Sequence, residues 1–171
     1  MRKLMFSYGM NTNLAQMAQR CPKAVSLGSA VLPHYEFEFK TYATVTPKLD
    51  HKVEGVLWEI SDECELSLDQ LEGYPIYYSK IIVWVEYESK LVPCMTYLMY
   101  PDEEYNYPSD SYVDLLTEGY TSHGIDVDQI NWALVRLDEL FGNYRLTDEP
   151  KDSTIMTSWR NHFNQGVVRE Y

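Results

Sequence analysis

Three cysteines, Cys21, Cys64 and Cys94, are all that a chain of 171 residues contains, and they stand far apart. No Cys-x-x-Cys or Cys/His pair has the spacing that a tetrahedral zinc site requires, and an odd, scattered set makes no disulfide framework. No metal site is expected, and free, mostly buried thiols in a reducing compartment are the simplest account. Clustered positive charge is missing as well. The 14 Lys and Arg face 26 Asp and Glu, a net charge of −12, and the longest basic run is Arg2-Lys3. Nucleic acid affinity comes from neutralised phosphates, so this balance argues against a nucleic acid partner. No stretch approaches the roughly 20 apolar residues of a membrane span. The start, MRKLMFSYGMN, is basic and then apolar, but its apolar part is too short for a signal peptide. A cytoplasmic protein without a membrane partner is expected. The four histidines, His34, His51, His123 and His162, are too spread to suggest a Ser/His/Asp or Cys/His arrangement. Repeats, low-complexity tracts and linkers are absent. The length is that of one domain burying roughly two-thirds of its unfolded surface.

What is present in quantity is tyrosine, 15 in all, and aromatic residues favour pleated, half-buried surfaces. Residues 3–8 read as a short strand running into Gly9. Leu14, Met17 and Cys21 mark a short helix before Pro22. The run HYEFEFKTYATVT at 34–46 alternates, with Tyr35, Phe37 and Phe39 on one face, and reads as a half-buried strand. A second strand is expected at 53–60, with Gly55 marking a close approach or bulge. Two more are expected at 77–88 and 92–100, joined by a turn at Ser89-Lys90. A polar loop follows at 101–108; its acidic patch, Asp102-Glu103-Glu104, reads as a solvated surface. Helix signals return at 109–122, where Tyr112, Leu115 and Leu116 line up before Gly124. Ile130, Leu134, Leu137 and Phe141 give a further amphipathic helix ending at Gly142, and Trp159 and Phe163 are spaced to dock a terminal one. Strands in the middle with helices interspersed predict an α+β fold, a strongly curved sheet or barrel with peripheral helices.

Within "SLDQLEGYPIYY", residues 67–78, one acidic residue is out of place. Cys64, Leu68, Leu71 and Glu72 fall at i, i+4, i+7 and i+8 and share one helical stripe. Asp62 with Glu65 fits a capping box at the start, and Gly73 followed by Pro75 fits a stop. The pattern aims the Glu72 carboxylate inward, at a helix end whose dipole disfavours negative charge. Desolvation and dipole both raise a carboxyl pKa from about 4.3, the profile of a proton-transfer group. A Glu72 rotated to solvent, or paired with Lys80, satisfies the same spacing.

The other informative stretch is "FSYGMNTN", residues 6–13, where a strand ends at Gly9 and a helix begins near Asn13. Backbone N–H groups at such a turn, beside a helix N-terminus, suit a carboxylate or phosphate, and Gly9 lets a ligand approach the backbone. A purely structural turn, with Asn11 or Thr12 capping the helix, fits equally.

Taken in order, these pieces resemble the gamma-glutamylcyclotransferase-like family. Tyr8-Gly9-Met10-Asn11-Thr12 is similar to its Tyr-Gly-Ser-Asn-Leu-type loop, with Met10 and Thr12 departing from the usual Ser and Leu. Gly55-Val56-Leu57-Trp58 matches its Gly-Val-hydrophobic-Trp strand. Leu68-Asp69-Gln70-Leu71-Glu72-Gly73 matches its Leu-Asp-x-x-Glu-Gly segment. Tyr78-Ser79-Lys80, Tyr97-Leu98-Met99, and Pro108, Ser109, Tyr112, Gly119 and Gly124 follow in the family's order. The likeness covers about 1–130, which would be the family domain, with 131–171 as a helical extension packed on it. The resemblance implies a small mixed β-barrel with peripheral helices and a cofactor-free pocket. It implies Glu72 as general acid/base, the loop Tyr8, Gly9, Met10, Asn11 and Thr12 as the cradle of a substrate α-carboxylate, and Tyr78 and Tyr97 beside them. The expected partner is a small gamma-glutamyl compound, converted to 5-oxoproline and a free amine. A non-catalytic ligand-binding module on the same scaffold, or an interaction domain working through residues 143–171, stands as the alternative. Oligomeric state is not legible.

Overall fold

The structure, a computed structural model, describes residues 2–143. Its centre is a closed barrel of five strands in the order β1-β3-β2-β4-β5: β1 (Arg2–Ser7), β2 (Val25–Lys40), β3 (Tyr42–Ser61), β4 (Tyr78–Tyr87) and β5 (Lys90–Met99). Every pairing is antiparallel except that of β1 with β5, which meet in parallel at Met5 and Met95, so the barrel is mixed. Four helices flank it: α1 (Leu14–Arg20), α2 (Asp62–Glu72), α3 (Asp110–Ser122) and α4 (Asp128–Leu140). This is the α+β barrel with peripheral helices that the strand and helix patterns predict.

Three boundaries differ from the pattern. The alternating run at 34–46 is the tip of a hairpin and not one strand. β2 ends at Lys40, Thr41 adopts a φ of 71°, and Lys40 pairs with Tyr42. Phe37 faces Val45 and Phe39 faces Ala43, all four buried. Because the turn is centred on residue 41, the odd positions stay inward on both sides of it. The period of two therefore runs through the reversal and hides it. Between β4 and β5 the turn falls on Glu88-Ser89, one residue earlier than expected. Both have positive φ, 48° and 61°, and Tyr87 pairs with Lys90. That is the two-residue hairpin whose twist suits the flanking strands. β2 also begins nine residues before the alternation does, at Val25; Gly28 and Pro33 interrupt its pattern, and the register shifts beside each.

The start of α2 is capped by Ser61, whose Oγ accepts from the Cys64 N–H at 3.2 Å, so Asp62 is the first helical residue and not the cap. Glu65, expected to close a capping box, instead takes Lys3 and Lys80 (2.6 Å) as partners. Asp62 and Glu63 still suit the positive end of the helix dipole.

Two glycines let the pieces meet. A Cβ on Gly55 would lie 2.3 Å from the Ser7 carbonyl oxygen, so β3 passes the end of β1 only because that side chain is missing. A Cβ on Gly119 would lie 2.5 Å from Thr12 Oγ1 and 2.7 Å from the Asn13 nitrogen, which brings α3 directly onto the turn after β1. α4 lies on β2 and buries Ile130, Ala133 and Leu137, while the Gln129 amide pairs with both backbone groups of Glu54 at 2.8 Å. The division expected at residue 130 falls inside this helix. The helix expected at Trp159 and Phe163 lies outside the described residues.

Candidate active site

A cavity of about 570 Å3 opens where β1 leaves the barrel, and nearly every element contributes to it. Tyr8, Gly9, Met10 and Asn11 come from the turn after β1, Arg20 from α1, Tyr42 and Ala43 from β3, and Glu72 from the last residue of α2. Tyr78, Tyr97 and Tyr112 come from β4, β5 and α3. Of the residues expected at the site, seven of the eight line this one space: Tyr8, Gly9, Met10, Asn11, Glu72, Tyr78 and Tyr97. Thr12 does not. It is fully buried behind the turn, where its Oγ1 and its N–H both donate to the Gly9 carbonyl at 2.9 Å.

The turn itself is a single 3-10 turn, Met10–Thr12, followed by α1. Its cap is neither Asn11 nor Thr12 but Asn13, whose Oδ1 accepts from the N–H groups of Ala15 (3.0 Å) and Gln16 (3.1 Å). Asn11 is thereby released for another task. Its Nδ2 donates to Glu72 Oε1 at 2.9 Å, and its Oδ1 accepts from Arg20 Nη1 at 2.7 Å.

Glu72 is therefore at the turn after β1, not in bulk solvent and not with Lys80. Lys80 is taken by Glu65 and Asp69, the latter at 2.9 Å. No ion pair reaches Glu72 among the described residues. Along α2 the inward stripe holds for Cys64 and Leu68, while Leu71 is exposed because it faces the mouth of the cavity instead of a core. Burial raises the Glu72 pKa above the ordinary carboxyl range; the Asn11 hydrogen bond and the Arg20 charge pull against it without reversing it.

The tyrosines divide by what their hydroxyls do. Tyr8, Tyr78, Tyr97 and Tyr112 are pushed up by burial, Tyr112 to about 12, so each of these four keeps its proton at neutral pH. Tyr8 donates to the Tyr97 carbonyl at 2.6 Å and Tyr97 to Asp69 at 2.7 Å. Tyr78 reaches the Ala43 carbonyl only at 3.5 Å. The Tyr112 hydroxyl accepts from the Ala43 N–H at 3.2 Å, which leaves its own hydrogen free to donate. Arg20 and Tyr112 are the site residues that the spacing did not single out. Tyr112 was visible on an apolar stripe and in the family-like order Pro108, Ser109, Tyr112, without a role at the site, and Arg20 as a residue near the end of a short helix.

At the mouth stand Tyr42 and Tyr77, both exposed, with Glu103 from the acidic loop. Lys40, buried at 7% exposure, ties that loop down by donating to the Pro101 carbonyl at 2.8 Å. A concave, aromatic-rich space with one acid inside (Glu72), a second at its mouth (Glu103), the Arg20 guanidinium, the Lys40 ammonium and a few fixed polar groups is the form of a small-molecule site. Among the described residues no group of three or more His, Cys, Asp or Glu gathers as metal ligands, and no helix is long and apolar enough to cross a membrane.

Comparison with known proteins agrees with this architecture. The family model described as "Gamma-glutamyl cyclotransferase, AIG2-like" matches residues 5–114. No curated protein matches the chain. Among solved structures, one described as "Gamma-glutamyl cyclotransferase" superposes with a TM-score of 0.69 at 23% identity, over 89% of this chain and 93% of its own. An uncharacterized protein from Homo sapiens superposes equally well, TM-score 0.69 at 24% identity, over 88% and 92%. YkqA from Bacillus subtilis gives 0.67 at 20% identity, covering 80% of this chain and 54% of that one. At these identities the likeness is one of fold.

Proposed function

This chain belongs to the gamma-glutamyl cyclotransferase, AIG2-like family, and from that premise we propose that it converts a gamma-glutamyl amino acid or amine to 5-oxoproline and the free amine, with Glu72 as general acid/base. The observation that carries the reading is the 2.9 Å contact of Glu72 with Asn11, which unites a desolvated carboxyl with the turn after β1. A gamma-glutamyl amide carries its own nucleophile, the α-amino group, which is protonated and inert at neutral pH. A carboxylate whose proton affinity is raised takes that proton. The freed nitrogen attacks the γ-carbonyl and closes the five-membered ring. The bond from the γ-carbonyl carbon to the leaving nitrogen breaks as that nitrogen takes the proton back from Glu72. The ring nitrogen sheds its second ammonium proton, so that 5-oxoproline forms and the amine departs as its ammonium ion. Intramolecular attack depends on orientation, and holding the α-carboxylate in the turn of Tyr8, Gly9, Met10 and Asn11 provides it. Thr12, turned away from the cavity, supports that turn from behind. Tyr112, with its uncommitted hydrogen, is the donor for the tetrahedral oxyanion, while Tyr78 and Tyr97 wall the substrate.

Met10 stands where a smaller residue is usual in the family, so it narrows the space beyond the glutamyl group without removing a backbone donor. The partner is a small molecule, the location cytoplasmic, and the activity resides in 1–130 with 131–171 as its extension. Incubation with a mixed gamma-glutamyl library, scoring which members lose mass and release 5-oxoproline, is the test. Binding without release from any member would favour a ligand-binding module on the same scaffold.

A further inference from the structure

The side chain of Asn11 is held at both ends. Its Oδ1 accepts from Arg20 Nη1 at 2.7 Å and its Nδ2 donates to Glu72 Oε1 at 2.9 Å. We infer that Arg20 is a positioning residue for Glu72, acting through the Asn11 amide. The inference rests on Glu72 being the group that exchanges the proton.

An amide beside a carboxyl can present either end. Its oxygen would repel a carboxylate, and its nitrogen donates to one. A guanidinium has five donors and no acceptor, so Arg20 can bind only the amide oxygen. By holding that end it fixes the other toward Glu72. Asn11 is only 7% exposed and has little room to find another arrangement. Arg20 is itself held where α1 meets α2. The Arg20 carbonyl accepts from Ser67 Oγ at 2.9 Å, and one residue on, Cys21 Sγ lies 3.5 Å from the Cys64 carbonyl oxygen. The helix that ends in Glu72 is thus pinned to the helix that ends in Arg20.

The interposed amide matters chemically. A guanidinium in direct contact would lock Glu72 as a carboxylate, unable to deliver a proton. At one remove it orients the carboxyl and leaves it free to take and give. The groups that act electrostatically with Glu72 are otherwise neutral at working pH: Tyr8 at the end of β1, Tyr78 of β4, Tyr97 of β5 and Tyr112 of α3. Arg20 is the cation acting on Glu72 among the described residues.

Three variants separate the possibilities. Arg20→Gln keeps a donor for the Asn11 oxygen and removes the charge; Arg20→Met removes both; Arg20→Lys keeps both with different geometry. The expected result is a fall in kcat of roughly ten- to a hundredfold in Arg20→Met, the cost of a displaced catalytic group, with KM little changed and the acidic limb of the pH profile moved upward. Arg20→Gln should recover most of the lost kcat. Equal loss in Gln and Met, with recovery only in Lys, would overturn the relay in favour of charge alone. An unchanged kcat in Met would overturn it outright. Carbon-13 spectra of carboxyl-labelled glutamate, with the Glu72 signal identified by its loss in Glu72→Gln, give a readout independent of turnover. The Glu72 resonance should move and titrate at higher pH in Arg20→Met, and an unmoved signal sinks the proposal even if no gamma-glutamyl compound is a substrate. Absence of turnover with the expected spectral change would refute the assigned reaction and leave the relay standing.

Discussion

The Tyr97 hydroxyl donates to Asp69 at 2.7 Å, one helical turn before Glu72. Asp69 also holds Lys80 of β4 at 2.9 Å, and Lys80 holds Glu65, so a cavity tyrosine is wired to a part-buried charge network that joins α2 to the barrel. Its ring faces the cavity while its proton is spent away from the substrate. Replacing Tyr97 with Phe should cost on the order of 1 kcal/mol in urea unfolding, one hydrogen bond to a charged group that retains another partner. Turnover should change by less than about tenfold. A loss comparable to that of Glu72→Gln would mean that the hydroxyl acts on substrate directly.

Glu72→Gln should keep the fold and reduce 5-oxoproline release by at least about a hundredfold, the lower range for loss of a positioned acid/base. Circular dichroism and a 5-oxoproline assay are sufficient to check it. Turnover near that of the parent would refute the role.

The same variant makes a prediction about stability and pH. Burial raises the Glu72 pKa in the folded state above its unfolded value. The folded protein therefore binds the proton more tightly, and the contribution of Glu72 is favourable below the unfolded pKa. It is lost as pH rises through the folded one. Glu72→Gln carries no charge to bury, so relative to it the parent should weaken with rising pH. The loss is about 1 kcal/mol for each pH unit separating the folded and unfolded pKa values. Melting curves of both proteins across pH 4 to 8 measure the difference. A parent that gains stability on Glu72→Gln as pH rises would reverse the sign of the argument.

Tyr112→Phe removes a half-buried cavity hydroxyl whose own hydrogen has no partner among the described residues. It should lower kcat by roughly a hundredfold or more if that hydrogen meets the oxyanion. The Ala43 N–H would lose its acceptor, a stability cost of about 1 kcal/mol. A change in KM alone would make Tyr112 a binding wall and not an oxyanion donor.

Gly119→Ala places a methyl where Thr12 and Asn13 already lie, 2.5 and 2.7 Å away. Overpacking of this kind costs about 1–3 kcal/mol. The turn after β1 must yield because the barrel behind it cannot, so activity should fall along with the melting temperature. Loss of stability with full activity would show that α3, and not the turn, gives way.

Much of this architecture is readable from the chain alone. The period of two finds β1, β4 and β5, the period of 3.6 finds all four helices, and Gly55 announces its close approach. Glu72 is legible because an acid on an apolar stripe violates the local pattern, and violations mark sites. The hairpin at Thr41 stays hidden because its turn preserves the parity of the inward positions. The start of β2 stays hidden because Gly28 and Pro33 break the alternation. Arg20 and Tyr112 are opaque for a different reason. A polar terminus of a short helix and an aromatic on a buried stripe are what any globular protein contains. Only the meeting of α1, α2 and α3 around one space gives them meaning. Thr12 shows the converse: adjacency in sequence to Asn11 places it on the back of the turn, since successive residues of a tight turn point to different sides.

The parallel meeting of β1 with β5 has a temporal consequence. β1 leaves the ribosome before the other barrel strands, yet its neighbours in the barrel are strands that begin some 40 and 88 residues later. Until Met95 has emerged, β1 lacks one of its two flanks, and the turn that carries Asn11 has no wall on that side. The pocket is thus a late product of chain synthesis: a nascent polypeptide holds its buried acid and its cradle as separate, idle pieces, and long-range pairing of this sort makes closure the slow event.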